Sequence, residues 1–128
     1  MASEPSFPIA AFMNMSLETI APGEARATAE VDETHFNPHG VVHGSVFFTL
    51  ADTSMGLATV SILPAGQLCS TIEIQVRYLR ALGPGRLVVD TRVVKPGRRV
   101  VHLESRGVDD RGRLVATATG SYAVLEAP

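Results

Sequence analysis

Val42-His43-Gly44-Ser45-Val46-Phe47-Phe48-Thr49-Leu50-Ala51-Asp52-Thr53-Ser54-Met55 places one carboxylate in an otherwise uncharged, apolar stretch. Asp52 is the only charged residue from Gly44 to Ile62, and Val46, Phe47, Phe48, Leu50, Met55, Leu57, Val60 and Ile62 leave no wide polar face. Such a helix is normally buried. Burying an ionised carboxylate costs several kcal/mol unless it is paired or hydrogen-bonded, so Asp52 is expected to be a residue the protein uses.

The flanking segments read as strands. Residues 24–32 alternate strictly, with Ala25, Ala27, Ala29 and Val31 on one face and Glu24, Arg26, Thr28, Glu30 and Asp32 on the other. After the break at Pro64-Ala65-Gly66, Ile72, Ile74, Val76 and Tyr78 alternate with Glu73, Gln75 and Arg77. Strands over 86–95 and 99–106 follow Pro84-Gly85 and Pro96-Gly97, and Asp109-Asp110-Arg111-Gly112 turns into a strand over 114–125. Residues 3–17 are ambiguous, with a short helix near 9–14 and a strand over 16–20 as the expectation. Short links between successive strands call for antiparallel pairing. The class is therefore α+β: an antiparallel sheet of about five strands whose one face is covered by a single long helix.

Composition narrows the function. A chain of 128 residues suits one domain spanning residues 1–128. Net charge is −2 with Lys and Arg scattered and no Trp, which argues against a nucleic-acid partner. The single cysteine, Cys69, excludes an intrachain disulfide and fits a reducing compartment. No basic n-region with an apolar h-region opens the chain, so a cytoplasmic protein is expected. Residues 41–63 are long enough for a bilayer, but His43, Asp52, two glycines and the Ser and Thr residues among them favour a core helix and no membrane partner.

Asn37-Pro38-His39-Gly40-Val41-Val42-His43-Gly44-Ser45 followed by Leu50-Ala51-Asp52-Thr53 resembles the N-x-x-G-x-x-H-G-G…L-x-D signature of hotdog-fold acyl-CoA thioesterases. The match is nearest the phenylacetate-pathway (PaaI-like) group, related to the 4-hydroxybenzoyl-CoA thioesterases that use a glutamate. It continues through Tyr78-Leu79-Arg80-Ala81 and Gly97-Arg98-Arg99, covering residues 35–125. Ser45 departs from it, standing where the second glycine of H-G-G belongs. The resemblance implies a sheet wrapped around one central helix, an acyl-CoA substrate and no cofactor beyond the coenzyme A of that substrate. It also implies that Asn37 positions the water or the carbonyl, and that Thr71 orients the nucleophile.

Thioester hydrolysis needs a donor for the developing oxyanion and a nucleophile or base at the carbonyl carbon. Gly44, at a helix N-terminus, offers an N–H without an intrahelical acceptor at the positive end of the helix dipole, and without a Cβ it permits close approach. Asp52 offers the second group, either adding to the carbonyl to give an anhydride or activating water. His43 is expected to orient the loop. Ser45, Arg80, Arg98 and Arg99 are the candidate substrate-binding residues. Arg98 and Arg99 either meet coenzyme A phosphates or are solvated turn residues. His35, His39 and His43 lie four apart, a metal-ligand spacing on a helix, but Pro38 and Gly40 interrupt any helix there, so no metal is expected.

Gly44 and Asp52 lie eight residues apart, about 12 Å along a helix axis and roughly 80° around it. Both must come within about 3 Å of one carbonyl. One helix does not allow this. Two antiparallel copies across a two-fold axis do, so a homodimer with shared active sites is expected. The resemblance implies the same arrangement, within a dimer of dimers. Two other roles are served by the same fold: an acyl-CoA sensor without turnover, which a retained Asp52 argues against, and a dehydratase on acyl thioesters, whose Asp-His signature is absent here.

Overall fold

The computed structural model describes residues 7–128. Residues 1–6, on which the reading of the N-terminus and the start of the ambiguous 3–17 segment depend, lie outside the described residues. Helix α1 spans Pro8–Phe12, with the proline in the first turn, where its missing N–H costs nothing. Strand β1 (Met15–Ala21) turns at Gly23, whose φ of +80° suits a residue without a Cβ, into β2 (Glu24–Val31). The segment expected as a strand over 16–20 is thus a full member of the sheet, which has six strands rather than about five. The inner face of β2 carries the alanines and valine that the alternation assigned to it.

The apolar run forms helix α2, Gly44–Val60, three residues shorter at each end than the expected 41–63; Ser61 caps its end, its N–H bonded to Leu57 O and its Oγ to Ala58 O. Strands β3 (Gln67–Tyr78), β4 (Gly85–Pro96), β5 (Val100–Val108) and β6 (Leu114–Glu126) complete the chain. All pairings are antiparallel, in the order β1-β2-β4-β5-β6-β3, and the sheet wraps α2. Val46, Leu50 and Met55 are fully buried against it, each contributing about 1.5–3 kcal/mol. Close approach is possible because Gly107 and Gly120 face the helix: a Cβ there would sit 2.6 Å from the Phe47 ring and 2.5 Å from Met55 Sδ, respectively. Ser54, Thr91 and Ser105 satisfy one another in the core through a hydroxyl chain with 2.6 Å links that ends on Ala51 O.

Two expectations fail. Successive strands β3 and β4 do not pair; β3 joins β6 at one edge and β4 joins β2. The sheet curls around α2, so residues 79–84 bridge strands that are not neighbours. That link is pinned by the Leu79 and Arg80 N–H groups on Val115 O and by the Val42 N–H on Leu82 O. Nor is α2 buried on all sides. The sheet covers one side of it, leaving Phe48 39 % and Val60 46 % exposed and Asp52 half-buried. Beside that face, β3 is an edge strand with Leu68 and Ile72 exposed.

Candidate active site

Two cavities flank α2, and each holds part of the expected chemistry. The first, about 380 Å³, lies at the start of the helix and is lined by Asn37, His43, Gly44, Phe47, Tyr78 and Arg80 among others. The helix begins here because the His43 Nδ1 accepts the Ser45 N–H at 2.9 Å. With Nδ1 so used, His43 orders the loop, and its own N–H is held by His35 O at 2.8 Å. Asn37 Oδ1 accepts from the His39 N–H at 2.8 Å, an Asx turn that shapes the loop. Among the described residues the Gly44 N–H has no acceptor. Ser45 is exposed and does not line this cavity, so the residue in place of the second glycine adds no side chain to it.

The second cavity, about 400 Å³, lies along the middle of α2 and includes Asp52, Gly56, Cys69, Thr71 and Tyr122. Thr71 Oγ1 donates to Asp52 Oδ1 at 2.8 Å. The Tyr122 hydroxyl donates to the same carboxylate oxygen and lies 2.7 Å from the Asp52 main-chain carbonyl. Burial, then the bond to Asp52, pushes the Tyr122 phenol far above its ordinary range, so it remains a donor. Burial also raises the Cys69 thiol, with the Asp52 charge adding to the effect.

The structure therefore brings Asn37, His43, Gly44 and Arg80 together at one cavity and Asp52 with Thr71 at the other. It leaves Arg98 and Arg99 exposed on the β4–β5 turn, outside both cavities. Two residues were missed as site members. Tyr122 follows Ala116, Ala118 and Gly120 on the inner face of β6, and an aromatic with a polar tip among small inward residues was the available signal. Tyr78 falls in the strand alternation and in the family resemblance, neither of which marks it as a site residue. It packs edge-on against Phe47 and bonds Gly44 O at 2.8 Å. The three spaced histidines do not converge: His35 is committed through Nε2 to Phe12 O and through Nδ1 to the Asp32 N–H. Among the described residues, no three His, Cys, Asp or Glu side chains form a metal cage.

Fold and sequence together place the chain among the hotdog-fold thioester hydrolases: residues 39–116 match the thioesterase superfamily, and the chain belongs to it. A relative in Halobacterium salinarum that bears an esterase name is 37 % identical over 89 % of this chain and 82 % of its own. A Streptococcus mutans protein solved with acetyl-CoA bound is 28 % identical, with a TM-score of 0.82 over 91 % of this chain and 92 % of its own. The Escherichia coli PaaI protein from the phenylacetic acid degradation operon superposes with a TM-score of 0.86 over 93 % and 85 % of the two chains at 22 % identity, a likeness of fold.

Proposed function

We propose that the protein hydrolyses acyl-CoA to the free acid and coenzyme A at sites shared across a two-fold dimer. The observation that carries this reading is that the free Gly44 N–H and the Asp52 carboxylate line different cavities of one chain. An antiparallel partner sets Asn37 and Gly44 of one protomer against Asp52 and Thr71 of the other. The thioester oxygen accepts from the Gly44 N–H as it gains charge, helped by the dipole of α2. Asp52 either adds to the carbonyl carbon, with water then cleaving the anhydride, or takes a proton from the water that adds. Either route expels the coenzyme A thiolate by breaking the C–S bond and needs no metal or redox cofactor.

The exposed β3 edge and the uncovered face of α2 support the dimer, because an unpaired edge beside apolar side chains is normally covered. A dimer of dimers in the cytoplasm is the assembly and compartment we assign. The aromatic and aliphatic lining of the first cavity, with Phe47, Tyr78, Leu79 and Leu82, suits an acyl group of aryl or phenylacetyl type. The Streptococcus mutans complex with acetyl-CoA supports a coenzyme A ester as the substrate.

The test mixes Asp52→Ala protein with Asn37→Ala protein, allows subunit exchange, and follows thiol release from a panel of aryl and aliphatic acyl-CoAs. In a mixed dimer one site carries both lesions and the other neither, so activity should rise well above either parent. Demonstrated exchange without recovery refutes the shared site. Binding without thiol release by the unaltered protein would make it a sensor, and water loss from a hydroxyacyl-CoA would make it a dehydratase.

A further inference from the structure

We infer that Tyr122 is a positioning residue for hydrolysis: by donating to Asp52 Oδ1 beside Thr71, it holds the carboxylate in one rotamer and leaves Oδ2 as the oxygen that reacts. Tyr122 is only 2 % exposed, and it reaches Asp52 from the part of β6 that lies beyond the matched residues 39–116. Its ring passes Gly56, where even a Cβ would be at an ordinary 3.9 Å, so the approach is unstrained.

Both donors converge on Oδ1. Among the described residues nothing donates to Oδ2. A carboxylate on the partly solvated face of a helix would otherwise turn about χ2, presenting either oxygen or neither. Two bonds to one oxygen, one of them from a buried phenol anchored in the sheet, remove that freedom before substrate arrives. This is the preorganisation that an attacking group requires, because misplacement of a reacting atom by an ångström is costly. Thr71, on an exposed edge strand, anchors less firmly; Tyr122 sets the geometry and Thr71 completes it. The same hydroxyl lies 2.7 Å from the Asp52 main-chain carbonyl, so its one proton is shared between two acceptors of a single residue.

The inference rests on the thioesterase reading, and its test separates the two. Tyr122→Phe keeps the ring and deletes the donor. In the assembled protein, kcat for acyl-CoA should fall by about tenfold or more, the scale of a bond to a charged group, while KM holds. In the substrate-free protein, the Asp52 carboxylate stretching bands, isolated by subtracting the infrared spectrum of Asp52→Asn, should shift in Tyr122→Phe. Unchanged kcat, a KM that rises in step with the loss of kcat, or unmoved bands would overturn the proposal. If Tyr122→Phe does not fold, fluorotyrosines of graded acidity placed at position 122 keep the shape; kcat should then track phenol acidity at constant KM, and a flat series overturns the proposal. No turnover by the unaltered protein would count against the thioesterase reading, whereas the infrared bands need no substrate and still decide the role of Tyr122.

Discussion

The Tyr78 hydroxyl donates to the main-chain carbonyl of Gly44 at 2.8 Å, and its ring fills the space that a side chain on Gly44 would need. A Cβ at position 44 would come within 3.0 Å of that ring. A side chain at position 44 would therefore have to push aside the tip of the tyrosine packed over the helix start. Gly44→Ala should fold with Tyr78 displaced, losing about 1 kcal/mol in urea unfolding as that bond breaks. Its kcat should drop by about tenfold or more through the disturbed oxyanion donor. Adding Tyr78→Ala should restore part of the kcat; no recovery would place the damage elsewhere.

Asp52→Asn preserves shape and can still accept from Thr71 and Tyr122, yet it is neither base nor nucleophile. We expect kcat to fall at least about 100-fold with acyl-CoA still bound, measured by thiol release and calorimetry. Turnover close to the parent would remove Asp52 from the mechanism.

Arg80 lines the Gly44 cavity, whereas Arg98 and Arg99 lie on the β4–β5 turn. If either group meets coenzyme A phosphates, its alanine variant should raise KM more than it lowers kcat, because phosphates far from the carbonyl are held equally in the ground and transition states. The salt dependence of KM should weaken in the same variant. A variant with unchanged KM marks its arginines as solvated surface.

EDTA should leave activity unchanged, because both ring nitrogens of His35 and the Nδ1 of His43 are engaged with the backbone and the proposed chemistry uses only Asp52 and the Gly44 N–H. Activity lost to EDTA and restored by zinc would overturn this.

Asp109 accepts from the Arg111 and Arg113 N–H groups and from Arg113 Nε, and these bonds, led by the Arg113 N–H, hold its carboxyl below the usual carboxylate range. Because the folded state resists protonation there, the stability it contributes is present above the unfolded value of about 3.9 and is lost as pH falls through the lower folded value. Chemical unfolding should show Asp109→Asn weaker than the parent at neutral pH, with the gap closing in acid. A gap that persists below that range would assign the effect to something other than the charge.

The elements and the family signature are legible in local pattern alone. The alternation in residues 24–32, the apolar run from Gly44 and the turns at Pro96-Gly97 and Asp109-Asp110-Arg111-Gly112 are local patterns, and each became the expected strand, helix or hairpin link to within a few residues, whereas Pro84-Gly85 opens β4 without joining it to β3 in a hairpin. The packing of the whole chain set which strands are neighbours, because the curl of the sheet around α2 lets residues 79–84 join β3 to β4 without pairing them. It also decided which face of α2 stays open, a choice that the composition of the helix, apolar on every side, does not encode. Tyr78 and Tyr122 became partners of Gly44 and Asp52 in the same way. The Tyr122 and Asp52 positions lie 70 residues apart, and no periodicity relates them. They meet because β6 runs beneath the helix, and a hydrogen bond depends on where folding brings two groups rather than on their distance along the chain.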